Sequence, residues 1–110
     1  MVSIERAGPA ADGKYYTMSK KDMSHMLAPL DGLFDQALEG GVVGTTGIGD
    51  GGNEVGMGNV AAEVREHINN GQTIACITPV ENLITSSVSN WCGATALSWL
   101  ADPGGCWSVS

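Results

Sequence analysis

Two carboxylates and a carboxamide lie close together in the most glycine-rich stretch of the chain. Asp50, Asn53 and Glu54 fall within residues 47–59 (GIGDGGNEVGMGN), which contain six Gly. Two neighbouring carboxylates can act as general acid and general base, because repulsion between them raises one pKa. They could instead hold one divalent cation, with Asn53 as a further oxygen ligand. The alternative is a solvated acidic turn that binds local backbone N–H groups, but the density of Gly favours a functional role.

The same stretch could also bind an anion through its backbone. A glycine-rich loop before a helix N-terminus presents N–H groups that favour negative charge. Residues 47–52 formally match GxGxxG, yet Asp50 and Glu54 would place negative charge where a pyrophosphate sits, and no GK[ST] follows. A dinucleotide site is therefore disfavoured. The candidate donors are Gly49, Gly51 and Gly52.

Three residues outside the loop are further candidates for substrate binding. Arg6 could clamp a carboxylate through two parallel hydrogen bonds, although a surface ion pair is the common role of such a residue. Ser89 and Asn90 precede an apolar stretch and could orient a ligand carboxylate. Simple capping of a helix N-terminus explains that pair equally well.

Composition excludes several classes of partner. The 110 residues suffice for one small domain. Twelve acidic residues against five basic ones give a net charge of −7, and no cluster of Lys or Arg extends beyond residues 20–21. We therefore expect neither nucleic-acid binding nor attraction to an anionic membrane surface. Three widely spaced Cys form no CxxC motif, which favours an intracellular chain with free thiols.

The elements that position these residues follow a strand–loop–helix–strand order. Residues 42–49 are β-rich, residues 50–58 are too glycine-rich for regular structure, and residues 72–78 (QTIACIT) resemble a second strand. Asn59 is the predicted N-cap of a helix that runs to Ile68. This order predicts a βαβ unit with parallel strands and a right-handed crossover.

Further elements flank this unit. Residues 1–4 predict a short strand and residues 22–27 a helical turn. A helix begins near Pro29 and ends at Gly40-Gly41, and another runs from Ser89 or Asn90 to Leu100. The fold class predicted is α/β, a three-layer arrangement with a parallel or mixed sheet. So few strands cannot cover a parallel sheet on both faces, so we expect the chain to be part of a larger domain.

The glycine segment resembles the hallmark of the D-glutamate cyclase family, in its C-terminal domain. Three further stretches agree with that family in the same order along the chain. The matching segments are GIGDGGNEVGMGNV (residues 47–60), ERAG with DGKYYTM (5–8 and 12–18), APLD (28–31) and SNW (89–91). The resemblance predicts a partial C-terminal cyclase-like domain over residues 1–100 and a divergent tail over 101–110.

The resemblance implies a hydro-lyase that converts D-glutamate to 5-oxo-D-proline and water. For that reaction we expect acid/base or metal-binding roles for Asp50 and Glu54 and an orienting role for Asn53, while the glycine-rich loop could hold the substrate carboxylate. The cofactor is not specified by the sequence; a divalent cation, Mg²⁺ or Mn²⁺, is one candidate. The resemblance also implies a mitochondrial location, the alternative being cytoplasmic. The family domain is longer than this chain, so we expect a fragment with exposed apolar strand faces. Such a fragment could form a homo-oligomer, or bind an anion or metal without catalysis.

Overall fold

A computed structural model describes residues 1–85 of the chain. Its elements are short and joined by long connections. In chain order they are β1 (Val2–Ile4), a 3-10 helix (Ser24–Met26), α1 (Asp31–Gly40), β2 (Thr46–Gly49), a second 3-10 helix (Met57–Val60), α2 (Ala61–His67), α3 (Gly71–Ile74) and β3 (Asn82–Thr85).

The three strands form one parallel sheet in the order β1-β2-β3. Ile4 pairs in register with Ile48, and Ile48 pairs with Ile84. Helix α1 connects β1 to β2, and α2 with α3 connects β2 to β3, so two crossover units build the sheet. The predicted α/β class is confirmed, and every strand pairing in the described sheet is parallel.

The core lies on one face of this sheet. Phe34 from α1, Val64 from α2 and Leu83 from β3 belong to one buried apolar cluster. Side chains alternate along a strand, and the row Ile4–Ile48–Ile84 therefore points away from that cluster. Ile4 and Ile84 are 66% and 47% exposed. Both crossover helices thus pack on the same side of the sheet.

Several elements agree with the sequence-based predictions. Strand β1, the helical turn near Ser24 and helix α1 are all present. Helix α1 ends where predicted, because Gly41 adopts the left-handed conformation at φ 63° and donates its N–H to the Ala37 carbonyl.

The predicted strand over residues 72–78 is wrong. Its first part forms the single-turn helix α3, and three consecutive buried residues, Ile74, Ala75 and Cys76, follow each other without alternation. Cys76 forms only an isolated bridge with Ala10. The third strand instead begins at Asn82, where exposed and buried side chains do alternate.

Two boundaries are also corrected. Strand β2 begins at Thr46 rather than at residue 42, since Val42 is 90% exposed and contributes nothing to the core. Asn59 is not an N-cap. Its side-chain Nδ2 donates to the Val80 carbonyl, and its side-chain Oδ1 accepts the Val80 N–H. The amide therefore bridges the helix entrance to the segment before β3, and α2 begins without a side-chain cap.

The helix predicted from Ser89 or Asn90 lies outside the described residues. Within residues 1–85, each helix is too short or too polar to cross a membrane.

Candidate active site at the carboxyl ends of the strands

Three carboxylates meet where two neighbouring parallel strands end. Glu5 directly follows β1, Asp50 directly follows β2, and Glu54 belongs to the loop after β2. One carboxylate oxygen from each residue lies within 4.8 Å of the others. Open α/β sheets bind ligands at the carboxyl ends of their strands, so the cluster occupies the place expected of a reactive centre.

The glycine-rich loop turns back and binds its own carboxylate. Glu54 is buried at 5% exposure. Its Oε1 accepts the N–H groups of Gly51 at 2.8 Å and Asp50 at 3.3 Å, and its Oε2 accepts the Gly52 N–H at 2.7 Å. Hydrogen bonds to an ionised acceptor are stronger than neutral ones. Two of the three loop donors predicted for a ligand anion, Gly51 and Gly52, therefore already serve Glu54, whereas no such bond joins the Gly49 N–H to that carboxylate.

Glycine permits this return at two positions for different reasons. Gly52 has φ +112°, a conformation that side chains rarely adopt. At Gly49, an added Cβ would lie 2.8 Å from the Cβ of Glu54, so only glycine lets the loop pack against the end of β2.

The returning loop pairs with the segment after β1. The Val55 N–H donates to the Arg6 carbonyl at 2.8 Å, and the Gly8 N–H donates to the Asn53 carbonyl at 2.9 Å. This antiparallel pairing places the residue before Val55, Glu54, alongside the end of β1. It brings Glu5 and Glu54 together although 49 positions separate them.

Glu5 is the site residue that the sequence analysis missed. Desolvation raises the pKa of its carboxyl, as do the neighbouring charges of Asp50 and Glu54 and a hydrogen bond to Asp50. Its surroundings therefore favour the protonated form of Glu5. The backbone of Glu5 is unusual for a non-glycine residue, with φ 50°. The signal in the sequence is positional: Glu5 directly follows β1, as Asp50 directly follows β2.

The donor set suits a hard divalent cation. Three carboxylates offer oxygen ligands of the kind that Mg²⁺, Mn²⁺ and Ca²⁺ prefer. A carboxylate has about four acceptor positions, and Glu54 uses three of them for backbone N–H groups. Glu54 can therefore contribute to such a site while remaining anchored to its loop.

The other predicted site residues lie in different surroundings. Asn53 is buried, and its amide donates to the Tyr16 carbonyl at 2.7 Å, which fixes the segment that follows β1. Arg6 donates to the Ala28 carbonyl at 2.7 Å. Ser89 and Asn90 lie outside the described residues.

Comparison with known proteins assigns the family. A family model described as "D-glutamate cyclase-like, C-terminal" matches residues 1–107. The chain is 47% identical over 93 residues to the human protein named "D-glutamate cyclase, mitochondrial", which covers 84% of this chain. This chain spans only 15% of the length of that relative. The chain belongs to the D-glutamate cyclase-like C-terminal family.

Proposed function

We propose that the carboxylate cluster forms the reactive centre of a hydro-lyase that converts D-glutamate to 5-oxo-D-proline and water. The observation that carries the proposal is the meeting of Glu5, Asp50 and Glu54 within 4.8 Å at the carboxyl ends of the strands. The family of the chain and the name of its human relative support the choice of substrate.

The reaction transfers two protons from the α-ammonium group to one γ-oxygen. The α-ammonium group of glutamate must lose two protons as its nitrogen attacks the γ-carbon, and one γ-oxygen must gain two protons and leave as water. The new C–N bond replaces the broken C–O bond, so no oxidant or other reactant is needed. A pair of carboxyl groups that shares one proton can accept a proton with one member and deliver it with the other. In this scheme Glu5, whose raised pKa favours its protonated form, delivers a proton, and Asp50 accepts one.

Glu54 has a positioning role in this scheme. Its three backbone hydrogen bonds hold the loop that carries Asp50, and its charge helps to raise the pKa of Glu5. Asn53 orients the segment after β1 through its bond to Tyr16. If Mg²⁺ or Mn²⁺ binds, Glu5, Asp50 and Glu54 would hold it and it would neutralise charge on the γ-carboxylate.

The second candidate function is a binding module without turnover. Two observations favour a binding module. The loop N–H groups already bind Glu54, and the chain spans only a small fraction of the length of its human relative. In this case the cluster holds a divalent cation or the amine of a ligand, and groups elsewhere in a longer protein complete the chemistry.

We also propose a mitochondrial location, on the name of the human relative.

A proton NMR time course with D-glutamate tests the proposal on this 110-residue chain. We expect 5-oxoproline signals to grow, and the variant Asp50→Asn to lose at least about a hundredfold in rate, as removal of a general acid or base does. Asp35→Asn is the matched control, because Asp35 is an exposed carboxylate on α1. Folded protein without product would favour the binding module.

A further inference from the structure

A cavity separate from the carboxylate cluster lies between β1 and the start of α1. Its volume is about 180 Å³, and its walls include Ser3, Arg6, Leu30, Asp31, Phe34 and Val55. Glu5, Asp50 and Glu54 are not among its lining residues. Pockets for drug-sized ligands begin at roughly 300 Å³, so this cavity suits a molecule of a few heavy atoms.

A cation on the cavity wall is available to a ligand. The Arg6 side chain is half-buried and donates to the Ala28 carbonyl. A guanidinium has five N–H donors, and within residues 1–85 no carboxylate forms an ion pair with Arg6. Its planar fork matches a carboxylate through two parallel bonds.

An anion shares the same wall. Asp31 begins α1, and its Oδ1 accepts the hydroxyl of Tyr15. The other carboxylate oxygen is not used by that bond and can accept a hydrogen bond from a ligand. Because Arg6 attracts an anion and Asp31 repels one, neither a simple carboxylate nor a simple amine satisfies both groups. A zwitterion does.

We propose that this cavity binds the zwitterionic head of a small α-amino acid. Arg6 holds the carboxylate, Asp31 accepts a hydrogen bond from the ammonium, and Leu30, Phe34 and Val55 contact an aliphatic side chain. This binding site goes beyond the reaction proposed above, since it requires no γ-carboxylate and no turnover.

Titration followed by amide chemical shifts tests the assignment with a ligand that cannot cyclise. Norvaline carries both head groups, pentanoate lacks the ammonium and butylamine lacks the carboxylate. We expect norvaline to shift the amides of Arg6, Leu30, Asp31 and Phe34 in a saturable way. Pentanoate and butylamine should bind at least about tenfold more weakly, because each loses a charge-assisted bond. Equal affinity for norvaline and pentanoate, or shifts that avoid the cavity, would overturn the proposal.

Variants separate recognition from folding. Arg6→Gln should weaken norvaline binding at least about tenfold, whereas Arg65→Gln, a change on α2, should leave it unchanged. Arg6→Lys keeps the charge without the fork and serves if the glutamine variant does not fold; it should weaken binding by several-fold. Tyr15→Phe removes the hydroxyl from Asp31 and should preserve binding. Unchanged affinity in both Arg6 variants contradicts the assignment.

Discussion

Glu54 anchors the loop that surrounds the carboxylate cluster. Its carboxylate is buried and accepts three backbone N–H groups from its own loop. The carboxylates of Glu5 and Asp50 are more exposed, and desolvation together with the charges of Asp50 and Glu54 raises the pKa of Glu5. The carboxylates of the cluster thus lie in different surroundings.

Replacement of Glu54 should reveal a structural contribution. In Glu54→Gln, one side-chain oxygen becomes an NH₂ group that faces the Gly51 or Gly52 N–H, so at least one charge-assisted bond is lost. We expect the free energy of unfolding to fall by about 2 kcal/mol. Urea unfolding measures this change. Glu63→Gln, at an exposed position on α2, should stay within about 0.5 kcal/mol of the parent, and equal stability of the two variants would contradict the account.

The pH dependence of the free energy of unfolding should report the repulsion between the carboxylates of the cluster. Desolvation, together with Asp50 and Glu54, raises the pKa of Glu5 above its ordinary value of 4.5 in the folded chain. The folded state therefore binds this proton more tightly than the unfolded state does, and ionisation of Glu5 opposes folding. The opposition is fully present above the raised pKa and disappears as the pH falls below 4.5.

Glu5→Gln removes that opposition. We expect the variant to unfold at higher urea concentration than the parent at neutral pH, with a difference that vanishes near about pH 4. Unfolding midpoints across this pH range check the prediction, with Glu63→Gln as the control that shows no such trend. A variant that is less stable at neutral pH would show that the carboxylates of the cluster do not repel one another.

At the scale of elements, glycine spacing determines how the loop packs on β2. An alanine Cβ at Gly49 would meet the Glu54 side chain at 2.8–3.0 Å, and that side chain cannot move because its carboxylate is anchored. Gly49→Ala should therefore destabilise the fold by about 1–3 kcal/mol.

Gly32 lies on α1 with nothing within 4 Å of an added Cβ. Gly32→Ala should instead stabilise the chain by about 0.5–1 kcal/mol. Thermal unfolding of the two variants measures both effects, and a shared sign would contradict this reading of the loop.

The elements that could be predicted from sequence are those with a local signal. Helix α1 shows an apolar stripe and a glycine stop, and β2 ends at the glycine segment. The segment around Cys76 misled the prediction, because its apolar β-prone residues are buried by long-range contacts with the loop after β1 rather than by a sheet. Strand β3 has only four residues, and its alternation is too short to distinguish it from a loop.

The residues of the site also differ in how local their sequence signal is. Asp50 and Glu54 were predicted from sequence because they share one short segment. Glu5 joins them only through the pairing of residues 6–8 with residues 53–55. That pairing depends on the three-dimensional course of two loops, and a linear pattern does not contain it.

At the scale of the whole molecule, the described sheet has one covered face and one open face. The row Ile4–Ile48–Ile84 crosses all three strands on the open side. Parallel sheets are normally covered on both faces. Self-association of the chain and its membership of a larger domain both stay predictions, as does the division at residue 100.

A divalent cation should stabilise the whole fold if the cluster binds it. Added Mg²⁺ or Mn²⁺ at ten times its dissociation constant would contribute about 1.4 kcal/mol, which corresponds to roughly 5–10 °C in Tm. KCl at equal ionic strength controls for screening of the net charge of −7. Asp50→Asn should lose the shift and Asp35→Asn should keep it. A shift that survives in Asp50→Asn would place the cation elsewhere.

The most direct test of the central claim is the rate of 5-oxoproline formation from D-glutamate by the parent chain, Glu5→Gln and Glu63→Gln. All three should give dispersed amide spectra, so that any change in rate belongs to chemistry and not to unfolding. We predict turnover by the parent and by Glu63→Gln, and a loss of at least about a hundredfold in Glu5→Gln. Undiminished turnover in Glu5→Gln would contradict the claim that the carboxylates at the ends of β1 and β2 form the reactive centre.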